Sequence, residues 1–181
     1  MNRLEIAICK AAKRASKICI NITGHSLYDA PESLFQSLVG ASIGSSWYVL
    51  FEATRAKIGY YHQKPLLGRP PKLKSRYDLV VWNRSKDTLR AVIEMKRGMI
   101  ITDAMRRDAE RIRQATAKQY RASAGYLLTY STIEDTKSAE MLELRLKRWA
   151  DDMKLNIICT DLIAAEYSAD GWIEAFSLMR V

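Results

Sequence analysis

Residues 76–98, RYDLVVWNRSKDTLRAVIEMKRG, decide the fold, because they contain two short apolar runs on either side of a polar turn. The runs YDLVVW and LRAVIEMK are rich in Val, Ile, Trp and Tyr, which favour β-strands. The stretch therefore predicts a β-hairpin that turns near Lys86. Antiparallel pairing around that apex places Val80 opposite Val92, on one face of the sheet.

Three charged side chains fall on one face of this predicted hairpin. The same register places Asp78 opposite Glu94, and Lys96 follows on the same side because side chains alternate with a period of two. The other face is also apolar, which predicts a central hairpin covered on both sides. Two carboxylates at the end of such strands repel each other and lose hydration, and a divalent cation would offset that cost. The simpler alternative is that Lys96 neutralises one acid while the other acid stays in water.

The composition is that of one globular domain, residues 1–181, with a basic surface. The chain is 48% hydrophobic and 27% charged, and its length suffices for one sizeable core. Its formal net charge of +9 favours a polyanionic partner, most simply nucleic acid, over a merely soluble surface. No apolar run reaches the roughly 18 to 20 residues of a membrane span, and the first residues lack a signal-peptide core. We therefore expect a cytoplasmic protein that does not bind membranes, with its three cysteines reduced.

The rest of the sequence predicts helices and strands around the hairpin. Apolar periodicity predicts helices over residues 2–19, 30–46, 101–122 and 135–153. Strands are predicted over residues 47–55, 124–131 and 155–160, followed by a terminal hairpin over 162–178. The fold class is therefore α/β: a mixed central sheet flanked by helices, with an N-terminal helix and a C-terminal β-hairpin.

This order of elements, together with the charged residues of the hairpin, resembles the PD-(D/E)XK nuclease superfamily, which has the restriction-endonuclease-like fold. The resemblance covers a core of about residues 30–131. The superfamily motif matches Asp78 on the second strand, then Glu94 and Lys96 within IEMK on the third. Tyr77 stands where the name-giving motif has Pro, a substitution that the superfamily often tolerates.

The resemblance implies hydrolysis of phosphodiester bonds in nucleic acid, with DNA favoured over RNA and with Mg²⁺, or Mn²⁺ in its place, as the cofactor. Asp78, Glu94 and the Met95 carbonyl would hold the ion, and Lys96 would orient or activate the attacking water. Glu32 looks like the acid that many members carry on the helix before the first strand, where it could hold a second ion. A helix N-terminal acid stabilised by the helix dipole explains Glu32 equally well.

Basic residues in two segments are the predicted contacts to nucleic acid, and they should make affinity fall steeply with salt. They come from the Pro-rich segment before the hairpin and from the helix after it: Arg69, Lys72, Lys74, Arg76, Arg107 and Arg111.

Asp108 is a predicted supporting residue of the site. On the helix it projects between Met105 and Ile112, on the stripe that packs on the sheet, where an unpaired carboxylate would be costly. Pairing with Lys96 would hold the amine in place for catalysis. A bond to a loop amide or to a neighbouring arginine is the commoner arrangement.

Two alternatives from other functional classes stay open. One is a catalytically inactive nuclease-fold module that binds nucleic acid or a partner protein. The other is an unrelated α/β interaction domain in which the three charged residues form a surface ion pair, and metal binding distinguishes this from a nuclease. A homodimer is also left open as an assembly.

Overall fold

The computed structural model describes residues 1–24, 26, 29–54, 57–58, 76–86, 88–98, 102–116, 122–133, 136–164 and 173–181. The predicted contacts Arg69, Lys72 and Lys74 lie outside the described residues. Within those residues, no helix has the length and hydropathy that crossing a bilayer requires.

Four helices and six strands make up most of the described residues. The helices are α1 (Arg3–Thr23), α2 (Glu32–Gly44), α3 (Asp103–Gln114) and α4 (Thr136–Met153). The strands are β1 (Tyr48–Thr54), β2 (Arg76–Trp82), β3 (Leu89–Arg97), β4 (Ala124–Ile133), β5 (Asn156–Ala164) and β6 (Ile173–Arg180). The α/β class with a mixed, helix-flanked sheet is confirmed.

The six strands form one sheet in the order β1-β2-β3-β4-β6-β5. β3 and β4 run parallel, and every other neighbouring pair in this sheet is antiparallel. The parallel pair follows from α3, which connects the end of β3 back to the start of β4. The ends of β2 and β3 that carry Asp78 and Lys96 therefore lie near the part of α3 that holds Asp108 and Arg111.

The central hairpin has the predicted register as far as Val81, and an irregularity after Val81 then pairs Trp82 with Leu89 and not with Arg90. Val80 pairs with Val92, and Leu79 pairs with Ile93. Lys86 lies in the turn with a left-handed backbone conformation, φ 60°.

Two glycines show that helices cover both faces of the sheet. A Cβ atom at Gly40 of α2 would overlap the side chains of β1 and come within 3.1 Å of Leu79. A Cβ atom at Gly125 of β4 would overlap Ile112 of α3. Leu79 and Gly125 pair with adjacent residues of β3, whose side chains point to opposite faces. α2 and α3 therefore pack closely on opposite faces of the sheet, and this packing requires glycine at positions 40 and 125.

The C-terminal strands differ from the prediction of a separate strand and a separate hairpin. A single strand, β5, runs through residues 156–164 and itself pairs with β6. Asp161, the polar residue between the two apolar segments, forms an ion pair with Lys13 of α1. The backbone of Asp161 stays in the ladder, where it pairs with Phe176.

The cysteines also differ in part from the prediction. Cys9 of α1 and Cys159 of β5 form a disulfide, whereas Cys19 is free and buried. The expectation of three reduced thiols is wrong for Cys9 and Cys159. The helix α1 packs on β5 and brings together these two residues, which are 150 positions apart in the chain.

Candidate active site

Asp78 lies where the ladder between β2 and β3 stops. The last register pair toward this end is Leu79 with Ile93. Beyond it, the Asp78 carboxylate accepts a hydrogen bond of 2.6 Å from the Met95 backbone N–H. This charge-assisted bond satisfies an amide at the end of the ladder and fixes the direction of the carboxylate. The Met95 side chain is fully buried, so only its backbone could contribute a ligand, as predicted for its carbonyl.

Glu94 is buried next to Asp78, with 1% of its surface exposed. Burial, followed by the negative charge of Asp78, raises the pKa of Glu94 to about 9, although Arg111 acts in the opposite direction. Burial also raises the pKa of Asp78, and the bond from Met95 limits that rise. The free protein therefore keeps a proton on Glu94 at neutral pH, shared in a hydrogen bond with Asp78.

Arg111 of α3 lies inside this acidic cluster. Its guanidinium contacts Glu94 Oε1 and lies 2.9 Å from Asp108 Oδ1. It also lies over the Tyr77 ring, 5.5 Å from the centroid, and the Tyr77 hydroxyl donates to the Arg111 carbonyl at 3.3 Å. Two carboxylates already hold the guanidinium of Arg111, whose contact with nucleic acid stays a prediction. A phosphate would have to compete with both.

Lys96 and Asp108 form the pair that sequence analysis proposed. Lys96 Nζ lies 3.2 Å from Asp108 Oδ2, and Asp108 contacts Arg111 through its other oxygen. Both alternatives for Asp108 thus occur together, since the neighbouring arginine is its second partner. Burial lowers the pKa of Lys96, but the charge and hydrogen bond of Asp108, together with the charges of Asp78 and Glu94, outweigh it, so the net pKa lies above its usual value. Lys96 is therefore an ammonium group at neutral pH.

Glu32 begins α2 and lies within electrostatic reach of the cluster. Gln36 donates a long hydrogen bond of 3.5 Å to its carboxylate. Burial raises the pKa of Glu32, Lys96 lowers it, and Asp78 raises it again. The charges of Asp78 and Lys96 therefore couple Glu32 to the site, which a helix-dipole role alone would not require.

Two polar side chains near the cluster were missed by sequence analysis. Thr129 is the register partner of Lys96 on β4, and its hydroxyl is buried without a hydrogen-bond partner among the described residues. The Tyr130 hydroxyl is likewise buried without a hydrogen-bond partner among the described residues. Burial, followed by the negative charge of Glu32, raises the pKa of Tyr130. No motif or spacing in the sequence marks them, because β4 reads as a continuous apolar strand.

The remaining predicted nucleic-acid contacts lie on the surface. Arg107 is exposed on α3. Arg76 is exposed at the start of β2 and pairs with Glu52 at 3.1 Å. Of the predicted set, these two are described and accessible.

The donor atoms of the site suit a hard divalent cation. Among the described residues, no three His, Cys, Asp or Glu side chains form a group arranged to hold a metal ion. Asp78 and Glu94 nevertheless provide adjacent carboxylate oxygens. Burial raises the pKa of both groups, and the charge of Asp78 adds to the rise for Glu94. Mg²⁺ and Mn²⁺ prefer such oxygens, and either ion would replace the Glu94 proton as the compensating charge.

Comparisons with protein-family models, with curated proteins and with solved structures give no match to this chain. The resemblance to the PD-(D/E)XK superfamily therefore rests on the motif residues and on the order of the elements.

Proposed function

We propose that the chain is a metal-dependent nuclease of the PD-(D/E)XK superfamily, which hydrolyses phosphodiester bonds in nucleic acid, DNA in preference to RNA. One observation carries the proposal: Asp78, Glu94 and Lys96 converge at one end of the central hairpin, with the amine held by Asp108. The formal net charge of +9 suits a polyanionic substrate.

In this proposal Asp78, Glu94 and the Met95 carbonyl would hold Mg²⁺, and Glu32 would hold a second ion. When bound, the ion supplies positive charge to a phosphodiester oxygen and makes water a stronger nucleophile. The Met95 N–H keeps the Asp78 carboxylate in one direction. Glu94 gives up its proton when it becomes a ligand, so ion binding releases a proton at neutral pH.

Lys96 acts as a hydrogen-bond donor in this proposal. Its raised pKa keeps it protonated, so it positions water or a phosphate oxygen and does not abstract a proton. Asp108 is a positioning residue, because it touches Lys96 and Arg111 and not the reacting atoms.

A second candidate is a nuclease-fold module that binds nucleic acid without cutting it. The contact of Arg111 with Glu94 favours this candidate, because the guanidinium occupies a Glu94 oxygen that a metal ion would need.

A cleavage assay separates the two candidates. The full chain is incubated with single- and double-stranded DNA and RNA in Mg²⁺, Mn²⁺ or EDTA. We expect cleavage of DNA in either metal and none in EDTA. Asp78→Asn should lower the rate of cleavage by more than about 100-fold. A loss of up to about 100-fold is typical when a residue that only supports a metal ligand is replaced, so the loss of a ligand itself should be larger.

The matched control is Asp103→Asn, which removes an exposed acid on α3 and should cleave like the wild type. Cleavage that persists in EDTA, or an active Asp78→Asn variant, would contradict the metal mechanism. Tight binding without cleavage in either metal would favour the inactive module.

A further inference from the structure

A cavity of about 330 Å³ lies at the opposite end of β3 from the acidic cluster. Its walls come from the start of α1, the residue before β1, the starts of β3 and β4 and the end of β6, including Arg3, Trp47, Arg90, Tyr126 and Arg180. Arg90 precedes Glu94 by four residues, which corresponds to roughly 13 Å along a strand. The volume lies within the range of about 300 to 1,000 Å³ that is typical of small-molecule sites.

The walls of this cavity carry an excess of positive charge. Three of the lining residues are exposed arginines. In the described part of the chain, Arg3 and Arg90 have no hydrogen bond or ion pair through their side chains. Arg180 lies 3.7 Å from Glu5, a buried acid beside the cavity.

Glu5 does not cancel this charge. Its carboxylate already accepts a hydrogen bond of 2.7 Å from the Asn2 backbone and another of 3.1 Å from the Tyr126 hydroxyl. Among the described residues, one carboxylate lies beside a cavity lined by three arginines and contacts Arg180, so an anion that entered the cavity would reduce the repulsion between the guanidinium groups. Guanidinium groups bind phosphate oxygens in a bidentate geometry, which makes phosphate a suitable anion.

One wall of the cavity offers a flat aromatic ring. Trp47 is half-buried, so part of its side chain stays accessible in the cavity that the arginines also line. Its indole N–H is buried and does not face the cavity. A ligand that has a planar ring could stack on the accessible part of Trp47.

We propose that this cavity binds a nucleotide, with its phosphate on Arg3, Arg90 and Arg180 and its base against Trp47. The ligand class is a phosphorylated nucleoside, either as a free mononucleotide or as one unit of a nucleic-acid strand. The cavity shares no residue with the acidic cluster, so this proposal stands apart from the proposed nuclease activity.

Isothermal titration calorimetry in EDTA tests the proposal, because EDTA stops metal-dependent cleavage during the measurement. The probes are 5′-AMP, adenosine, inorganic phosphate and a short single-stranded DNA oligonucleotide. We expect the double variant Arg3→Gln/Arg90→Gln to bind 5′-AMP at least about tenfold more weakly than the wild type. The control Arg14→Gln/Arg145→Gln removes the same charge from exposed positions of α1 and α4 and should bind like the wild type.

The probes also distinguish binding of the base from binding of the phosphate, and a free nucleotide from a nucleic-acid strand. Trp47→Phe should weaken 5′-AMP binding and leave phosphate binding unchanged. An oligonucleotide that binds more tightly than 5′-AMP and loses affinity in Arg3→Gln/Arg90→Gln identifies a strand as the source, whereas tighter 5′-AMP binding identifies the free nucleotide.

Any of three results would overturn the nucleotide assignment. The first is a wild type that binds neither 5′-AMP nor the oligonucleotide. The second is equal affinity of the wild type and the double variant for 5′-AMP. The third is inorganic phosphate that binds as tightly as 5′-AMP. Thermal unfolding followed by circular dichroism checks that each variant is folded. Asp78→Asn should bind 5′-AMP like the wild type, so failure of the nuclease proposal is distinguishable from failure of this one.

Discussion

The two ends of β3 hold their charges in opposite ways. At the C-terminal end, Arg111 contacts both Glu94 and Asp108, and these groups are wholly or largely buried. At the N-terminal end, Arg90 is exposed and lines a cavity with two further arginines and a single neighbouring acid. Buried charges cost desolvation energy and depend on one another, whereas exposed charges keep their hydration. The C-terminal end should therefore control stability and its pH dependence, and the N-terminal end should control affinity for an external anion.

The largest difference should appear when one arginine is removed from each end. Arg111→Met removes the guanidinium that both Glu94 and Asp108 contact and leaves two buried acid groups without that partner, so we expect a loss of about 3 kcal/mol in the free energy of unfolding. Arg90→Met should stay within about 0.5 kcal/mol of the wild type, as surface substitutions do. Urea denaturation in EDTA at neutral pH measures both values.

A second substitution checks the cause of that loss. Adding Glu94→Gln to Arg111→Met removes one of the two orphaned acids, so part of the stability should return. Equal losses for Arg111→Met and Arg90→Met would mean that the charge network at the C-terminal end does not stabilise the fold.

The two ends should also respond differently to pH. The pKa of Glu94 is about 9 in the folded chain, against an ordinary value of 4.5. Above pH 4.5 the unfolded chain releases this proton and the folded chain keeps it, so stability falls as pH rises toward 9. The slope is at most about 1.4 kcal/mol per pH unit, which corresponds to about 2 kcal/mol between pH 6.5 and 8.

Thermal unfolding in EDTA over that pH range measures the slope. Glu94→Gln should flatten the profile, because it removes the titrating group, and Arg90→Gln should leave it unchanged. A wild-type protein whose stability rises with pH over this range would contradict the assignment of a buried, protonated Glu94.

Local patterns were enough to predict the hairpin and part of the site. The register around Lys86 depends on neighbours in the chain, so the pairing of Val80 with Val92 follows from the sequence alone. Asp108 could be placed on the inward stripe of its helix because a turn of 100° per residue is a local property. The pairing of Lys96 with Asp108 then required only that α3 pack near the end of β3.

Contacts between distant elements could not be predicted in the same way. The cavity joins Arg3, Arg90 and Arg180, whose proximity depends on the strand order of the whole sheet. Arg111 was assigned to the surface because its helix carries basic residues around much of its circumference. One signal could have corrected this, since Arg111 follows Asp108 by three residues and so lies on the same side of the helix.

The smallest predicted effect concerns Asp108, and it tests whether the charges at the C-terminal end act as a linked set. Asp108→Asn preserves shape but removes the charge that holds Lys96, so we expect Mn²⁺ binding close to that of the wild type and cleavage about tenfold slower. This corresponds to about 1.4 kcal/mol of lost transition-state stabilisation. Because Asp108 raises the pKa of Lys96, its loss should also move the alkaline limb of the pH–rate profile to lower pH. Asp103→Asn, an exposed change on the same helix, should alter neither the rate nor the profile. Slower cleavage with an unmoved alkaline limb would assign Asp108 to the packing of α3 and not to Lys96, because a purely structural defect does not change the proton affinity of that amine.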